Sequence, residues 1–308
     1  MRLAIGLLAL VASSAALQRV AVVTGAARGI GKGIAIELGR LGYAVYALGR
    51  SADGRAAFTG EPWADGLSVD ATAEAVRAAG GRGEAMICDV GDEAQVAAAI
   101  ERVRGAEGRL DVLCCSAYTT PPGALRAPFW TQGVPMWDAC NGVGLRGVFA
   151  TCCEAAPLMI ETAAADRRSG APPRPPLVVL VSSFGGKAFT FNVAYGVGKA
   201  AVDRLARDMA VQLRESGVAT VSLYPGIVRT EQNLELERQG TWAETSGGFE
   251  LAMGETPAFS GRAVGALLAM EEDEMMARSG SVRTRPGRSH HTHAAHMPRT
   301  VVLNALSL

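Results

Sequence analysis

Thr24-Gly25-Ala26-Ala27-Arg28-Gly29-Ile30-Gly31 decides how this chain is read, because of what stands on either side of it. Upstream, residues 19–23 form a short apolar run rich in β-branched side chains; downstream, residues 30–41 carry apolar side chains at helical spacing. Glycines between a strand and a helix let the backbone turn sharply and come close to a ligand. The amides of the helix's first turn then face outward, where they can meet a phosphate's charge. The unit predicts a pyrophosphate-binding corner, with Thr24, Gly25, Arg28, Gly29, Ile30 and Gly31 as contact candidates.

The same alternation continues outward. Residues 44–48, 84–88, 110–115, 177–181 and 218–223 read as further strands, and 71–79, 92–104, 136–160 and 194–216 as further helices. Short β-rich apolar runs alternating with longer helical stretches predict a parallel sheet covered on both faces. The expected fold class is α/β, a single doubly wound, Rossmann-like domain over residues 18–282 with a parallel sheet of about six to seven strands. One more helix is expected at 258–270 and a last strand at 279–282. Residues 51–69, 164–176 (with four prolines) and 227–257 read as loops, the third as a flap over a site.

Composition narrows the partners. Lys plus Arg and Asp plus Glu are 30 each, so no net field favours nucleic acid or an anionic membrane, and nucleic acid is not an expected partner. The six cysteines, Cys88, Cys114, Cys115, Cys140, Cys152 and Cys153, lack metal-ligand spacing and read as small apolar core residues, with no disulfide framework expected. Residues 1–17 carry one cation, Arg2, then an apolar run and small residues from Ser13. That is the layout of a targeting signal, a membrane anchor being the alternative. It predicts the endoplasmic reticulum or another secretory or organellar compartment, and the cytoplasm if the leader is not used. Membrane association is expected only through this segment, since nothing after it approaches a span in length. Residues 283–308 are basic, contain His290, His291, His293 and His296, and have no periodicity. They read as a disordered tail rather than a metal site, and no metal ligands are assigned.

Two further positions bear on the ligand. At the end of the second strand, where an acidic residue would accept bonds from ribose hydroxyls, this chain has Gly49-Arg50. Arg28 and Arg50 together suit a 2′-phosphate, which predicts NADP(H) over NAD(H) as cofactor. Asp89 and Val90, after the third strand, are adenine-contact candidates; Asp89 could instead cap the following helix. Ser116 is a further cofactor-contact candidate.

Tyr195-Gly196-Val197-Gly198-Lys199 opens a helix, and Ser182-Ser183 closes the preceding strand. The i, i+4 spacing sets Tyr195 and Lys199 on one face. A tyrosine titrates near ~10, so a neighbouring ammonium and a nicotinamide cation are needed to lower it. A serine hydroxyl at the strand's carboxyl end can polarise a carbonyl. Loop, serine, tyrosine and lysine in this order predict a hydride-transfer enzyme.

These motifs together resemble the short-chain dehydrogenase/reductase family from about Gln18 to Val282: TGxxxGIG is met by residues 24–31, and YxxxK by Tyr195 and Lys199. The resemblance implies Tyr195 as general acid/base, Lys199 as the group that lowers its pKa and holds the nicotinamide ribose, and Ser183, rather than Ser182, as the group that orients the carbonyl. Pro225-Gly226-Ile227-Val228-Arg229-Thr230 is similar to the family's PG motif, so Pro225, Gly226, Val228 and Thr230 inherit contacts to the carboxamide. Residues 191–200 and 143–147 look like the subgroup represented by dehydrogenase/reductase SDR family member 1, which implies an NADPH-dependent carbonyl or steroid reductase of the endoplasmic reticulum. The family also implies a homo-oligomer built through the helices 136–160 and 194–216. The expected partner is a small carbonyl or alcohol substrate.

Three departures accompany the resemblance. Where the family writes NNAG after the fourth strand, this chain has Cys115-Ser116-Ala117-Tyr118, without the two amides that tie sheet and pocket together. The helix-borne Asn that completes a Ser-Tyr-Lys-Asn tetrad falls on Gly144, with Asn141 one turn earlier as a candidate substitute. The end turns basic at Arg283 where relatives run on as strand and apolar segment. These departures leave a non-catalytic NADP(H)-binding sensor or scaffold as the alternative.

Overall fold

Apolar runs such as Val20–Thr24 and Leu177–Val181 can lose water from both faces only inside a sheet covered twice, and that is where the chain puts them. In a computed structural model the described residues are 18–50, 64–119, 127–170, 174–246 and 248–280. The leader 1–17 and the tail with its four histidines lie outside them. Among the described residues are six strands, β1 (Val20–Thr24), β2 (Ala44–Gly49), β3 (Arg82–Ile87), β4 (Val112–Cys115), β5 (Leu177–Val181) and β6 (Ala219–Leu223). They pair in parallel in the order β3-β2-β1-β4-β5-β6. The order reverses between β1 and β4, so a crevice opens at their carboxyl ends, the place where doubly wound sheets bind ligands.

Helices α1 (Gly29–Arg40), α2 (Val69–Ala78), α9 (Pro257–Leu268) and α10 (Glu272–Arg278) cover one face; α3 (Glu93–Glu107), α5 (Val148–Ser169) and α6 (Val193–Leu213) cover the other. On the first face Ile34, Leu38, Val76, Val264 and Leu267 pack against Val23, Val45 and Val179. On the second, Val96, Cys152, Leu158 and Val202 pack against Val22, Leu48, Leu113 and Leu180. Gly33 lets α1 and α9 touch, since a Cβ there would stand 2.3 Å from the Pro257 carbonyl. All six cysteines are free, five of them buried.

Three expectations are corrected. The helix expected at 136–160 starts earlier and is broken: α4 (Phe129–Asn141) bends at Gly133 (φ 66) and Pro135, Gly142–Gly147 widens into a π turn, and α5 runs on to Ser169 through residues expected to be loop. Three glycines in six residues permit that turn, and Gly147 is held against the Val90 carbonyl, 2.7 Å from where a Cβ would be. This run, Phe129–Ser169, is long and apolar enough to cross a membrane, although nothing beyond the leader was expected to be. Its apolarity comes from the face it buries in the core, with Val148, Cys152, Ala155, Leu158 and Met159. The flap expected at 227–257 holds two helices, α7 (Glu231–Arg238), capped by Thr230, and α8 (Trp242–Ser246). Of the last strand expected at 279–282, residues 281–282 lie outside the described residues; Ser279 and Gly280 follow α10 and bond the backbone of Thr220 on β6.

Candidate active site

The glycine corner forms as its residue types require. Gly25 (φ 65) and Gly29 (φ 55) take left-handed backbone that other residues avoid, and Gly31 lies against the Gly25 carbonyl, 2.3 Å from a would-be Cβ. Arg28 stands at the N-cap of α1 without a side-chain cap of its own, and the first turn holds no acid, so the helix's N-terminal turn faces the crevice with its Gly29 amide met by a side chain from another element. Thr24 is buried, and its hydroxyl accepts from the backbone N–H of Ser116 (3.2 Å) and Ala117 (3.3 Å). It therefore ties β1 to the end of β4 rather than lining the crevice, doing the work of the amides missing at residues 115–116.

The crevice is lined by Gly25, Arg28, Gly29, Ile30, Gly31, Arg50, Asp89, Val90, Ser116, Tyr195, Lys199 and Thr230 among the expected residues. Burial pulls the Arg28 pKa down to about 10, Glu231 opposes this, and the positive charge of Arg50 adds to it; the two guanidinium groups thus feel each other across the crevice mouth. Asp89 does not cap α3. Its Oδ1 accepts from Gly91 N (2.9 Å), while Asp92 caps the helix by accepting from Ala94 N and Gln95 N.

Pro225, Gly226 and Val228 lie off the lining. Val228 instead pairs with Glu255, and its carbonyl accepts from Thr230 N and the Asn233 amide. Thr230 does line the crevice, and its hydroxyl also caps α7 by accepting from Asn233 N (3.3 Å).

Tyr195 and Lys199 enter from the first turns of α6, which Asn192 starts by accepting from Tyr195 N (2.8 Å). Lys199 is buried; its Nζ donates to the Val181 carbonyl at 2.9 Å and lies 6.0 Å from the Tyr195 ring centroid. Burial lowers its pKa to about 8, the charge of Asp203 opposing. The Tyr195 phenol goes the other way. Burial pushes it up to about 12, and the hydrogen bond from Ser183 only partly opposes this. The expectation that Lys199 brings Tyr195 down is thus not met by the protein alone, because loss of water outweighs a charge held that far away. Ser183 lies off the crevice lining but is the serine bonded to Tyr195; its Oγ also accepts from Gly185 N (3.0 Å). Ser182 lines the crevice, and its hydroxyl donates to the Lys199 carbonyl (3.2 Å).

Some site residues were not anticipated. Ala27, Gly49, Leu67, Cys88, Val143 and Gln232 also line the crevice. Gly185 is needed for the Tyr195 ring, which lies 2.5 Å from its would-be Cβ; the Gly185-Gly186 pair beside the serines was the available signal. Glu231 Oε2 accepts from Gly29 N at 2.8 Å, and Arg28 donates to Gln232 at 3.0 Å, contacts spanning about two hundred residues that no local pattern announces. Asn141, the candidate tetrad substitute, is not in the crevice; its amide donates to the Ala194 carbonyl at 3.3 Å and ties α4 to α6.

A switch-point crevice, a glycine corner at a helix N-terminus and a buried Tyr-Lys pair mark a doubly wound α/β fold with a built crevice at the carboxyl ends of its strands. The chain belongs to the short-chain dehydrogenase/reductase family: the short chain dehydrogenase family model matches residues 19–240. Dehydrogenase/reductase SDR family member 1 of Mus musculus is 39% identical over 217 residues, which are 69% of this chain and 61% of the mouse protein. Among solved structures, a metagenomic short-chain oxidoreductase in complex with NADP is 27% identical, with a TM-score of 0.61 over 83% of this chain and 93% of that one. A short chain dehydrogenase from Mycobacterium paratuberculosis bound to NAD is 25% identical, with a TM-score of 0.66 over 86% of this chain and 95% of that one.

Proposed function

We propose that this protein is an NADPH-dependent reductase of small carbonyl compounds, steroid-like ketones included, running reversibly on the matching secondary alcohols. The observation that carries this reading is the Tyr195 and Lys199 pair lining the crevice, with Ser183 behind it, bonded to Tyr195. The residues fit an NADP(H) molecule: the N-terminal turn of α1 for the pyrophosphate once Glu231 gives up the Gly29 amide, Arg28 and Arg50 for a 2′-phosphate, and no carboxylate at the end of β2 that would favour NAD. When bound, that cofactor supplies the hydride. Lys199 holds the ribose and keeps a positive charge beside Tyr195; Ser183 orients the carbonyl oxygen; Tyr195 gives that oxygen its proton. With the pKa of Tyr195 near 12, its proton is on the phenol at neutral pH, ready for reduction, and the alcohol-oxidising direction needs the added cofactor cation.

Purified protein assayed with NADPH and a panel of aldehydes, ketones and steroids tests the reading. Turnover is expected, with kcat at least ~100-fold lower in Tyr195→Phe. No turnover while NADPH still binds would favour the sensor or scaffold alternative, and full activity in Tyr195→Phe would remove Tyr195 from the chemistry. Arg50→Ala is expected to weaken NADPH about tenfold, about 1.4 kcal/mol, and to leave NADH unchanged. Equal losses for both cofactors would overturn the NADP preference.

Two further readings belong with this one. The exposed apolar side chains on α4, α5 and α6 support a homo-oligomer. The layout of residues 1–17 supports delivery to the endoplasmic reticulum or another secretory or organellar compartment; a fluorescent protein carrying them should leave the cytosol, and a diffuse cytosolic signal would reject that address.

A further inference from the structure

Tyr118 occupies the place the missing tetrad leaves. Gly144 has no side chain, and the Tyr118 ring fills the space so closely that a Cβ at 144 would lie 2.6 Å from its Cδ2 and 2.7 Å from its Cε2. Tyr118 and Gly144 are therefore one packing unit: the tyrosine needs the glycine. From that position the ring reaches both reacting side chains. Its face lies 4.7 Å from Lys199 Nζ, closer than the Tyr195 ring at 6.0 Å, and it meets the Tyr195 ring in a T-shaped contact at 5.6 Å between centroids with planes at 89°. Phe191 meets Tyr195 at 5.1 Å and 81°. The catalytic phenol is thus flanked by two aromatic rings.

We infer that Tyr118 is a positioning residue that replaces the tetrad Asn, holding the Lys199 ammonium on its aromatic face and fixing Tyr195 by the T-shaped ring contact. The inference rests on the acid/base reading of Tyr195 proposed above. The buried ammonium has the Val181 carbonyl as its hydrogen-bond acceptor, and an aromatic face beside it is a further partner that stabilises a cation. The groups that act on Lys199 are Asp203 on its own helix, Cys140 on α4, and the rings of Tyr118 and Tyr195; Asp203 is itself engaged by Tyr224, Ser222 and Lys187. The hydroxyl of Tyr118 is buried beside the Cys140 thiol outside normal hydrogen-bond geometry, and burial keeps it a neutral phenol. The ring, and not the hydroxyl, is the working part.

Three variants separate this from a merely structural role, with wild type and Tyr195→Phe run beside them so that absent turnover counts against the acid/base reading alone. Tyr118→Leu keeps an apolar side chain at this place but removes the π face. Its kcat should fall at least tenfold, and the alkaline limb of its rate profile, set by Lys199 losing its proton, should move to lower pH. Tyr118→Phe should restore the limb to its wild-type position. Tyr118→Leu combined with Gly144→Asn should recover more activity than either single change. Independently of turnover, Gly144→Ala should lower Tm in the wild-type background and not in Tyr118→Ala, where the space is open. A limb unmoved in Tyr118→Leu, a Phe variant as impaired as Leu, or equal Tm losses from Gly144→Ala in both backgrounds would each overturn the assignment.

Discussion

Lys199 shows at the scale of one residue what the site costs the fold. Its ammonium, held near pH 8 against an ordinary 10.5, resists protonation because burial strips its water. At ~1.4 kcal/mol per pH unit that is a penalty of about 3 kcal/mol. Because the folded pKa is the lower one, the penalty is complete below about pH 8 and fades as pH rises toward the unfolded value. Lys199→Met should therefore abolish activity yet stabilise the protein by about 2 kcal/mol at pH 7, once about 1 kcal/mol for the Val181 carbonyl's lost partner is subtracted. The gain should disappear by pH 10 to 11. Thermal melts across that range test the sign; a variant less stable than wild type at pH 7 would contradict it. The i, i+4 pair itself was legible because helical spacing alone brings the two side chains together. The direction of the Tyr195 shift was not, because sequence shows a neighbouring charge but not how much water has been removed.

Among the elements, the segment after β6 departs furthest from its sequence reading. Residues 227–257 look polar and irregular because α7 buries no residue completely, so no apolar stripe marks it. Its start signal was nonetheless present: Thr230 caps it and Glu231 occupies its first turn. The sixfold strand and helix alternation could be read because most strands are short runs of apolar, buried residues, whereas the π turn at Gly142–Gly147 depends on close approaches to Tyr118 and Val90 from distant segments. The placement of α7 has a consequence for binding. Glu231 takes the Gly29 amide at the N-terminus of α1, the donor a pyrophosphate would use, and Gln232 takes Arg28. A dinucleotide must displace a carboxylate that imitates its own charge. Glu231→Gln, which weakens the competing contact by removing its charge, should tighten NADPH roughly three- to tenfold, about 1 kcal/mol. Fluorescence titration decides it: unchanged or weaker binding would mean that the carboxylate helps the cofactor instead of standing in for it.

For the whole molecule, the two faces of the sheet are closed in different ways. Beside β6, α9 and α10 finish one cover, with Val264, Leu267 and Met275 buried. On the other face, α4, α5 and α6 leave Trp137, Phe149, Val197 and Val211 exposed, Val211 at 75% and Phe149 at 55%. Trp137 and Phe149 border a shallow hollow with Leu145, Leu205 and the charged Arg204 and Asp208. Large apolar side chains gathered on one face, with paired charges at its border, have the make-up of a surface buried between subunits. The site leans on the same helices: Asn141 ties α4 to the Ala194 carbonyl one residue before Tyr195, and Gly198 admits it, its would-be Cβ standing 2.0 Å from the Asn141 Oδ1. Association through this face would therefore brace the helix that carries Tyr195 and Lys199. Light scattering on the purified protein should give a dimer or larger assembly. Phe149→Asp with Val211→Asp should shift it to monomer, keep the fold by circular dichroism, and lower kcat more than NADPH affinity. A wild type that is monomeric at micromolar concentration, or a monomeric variant with undiminished turnover, would separate the site from the assembly.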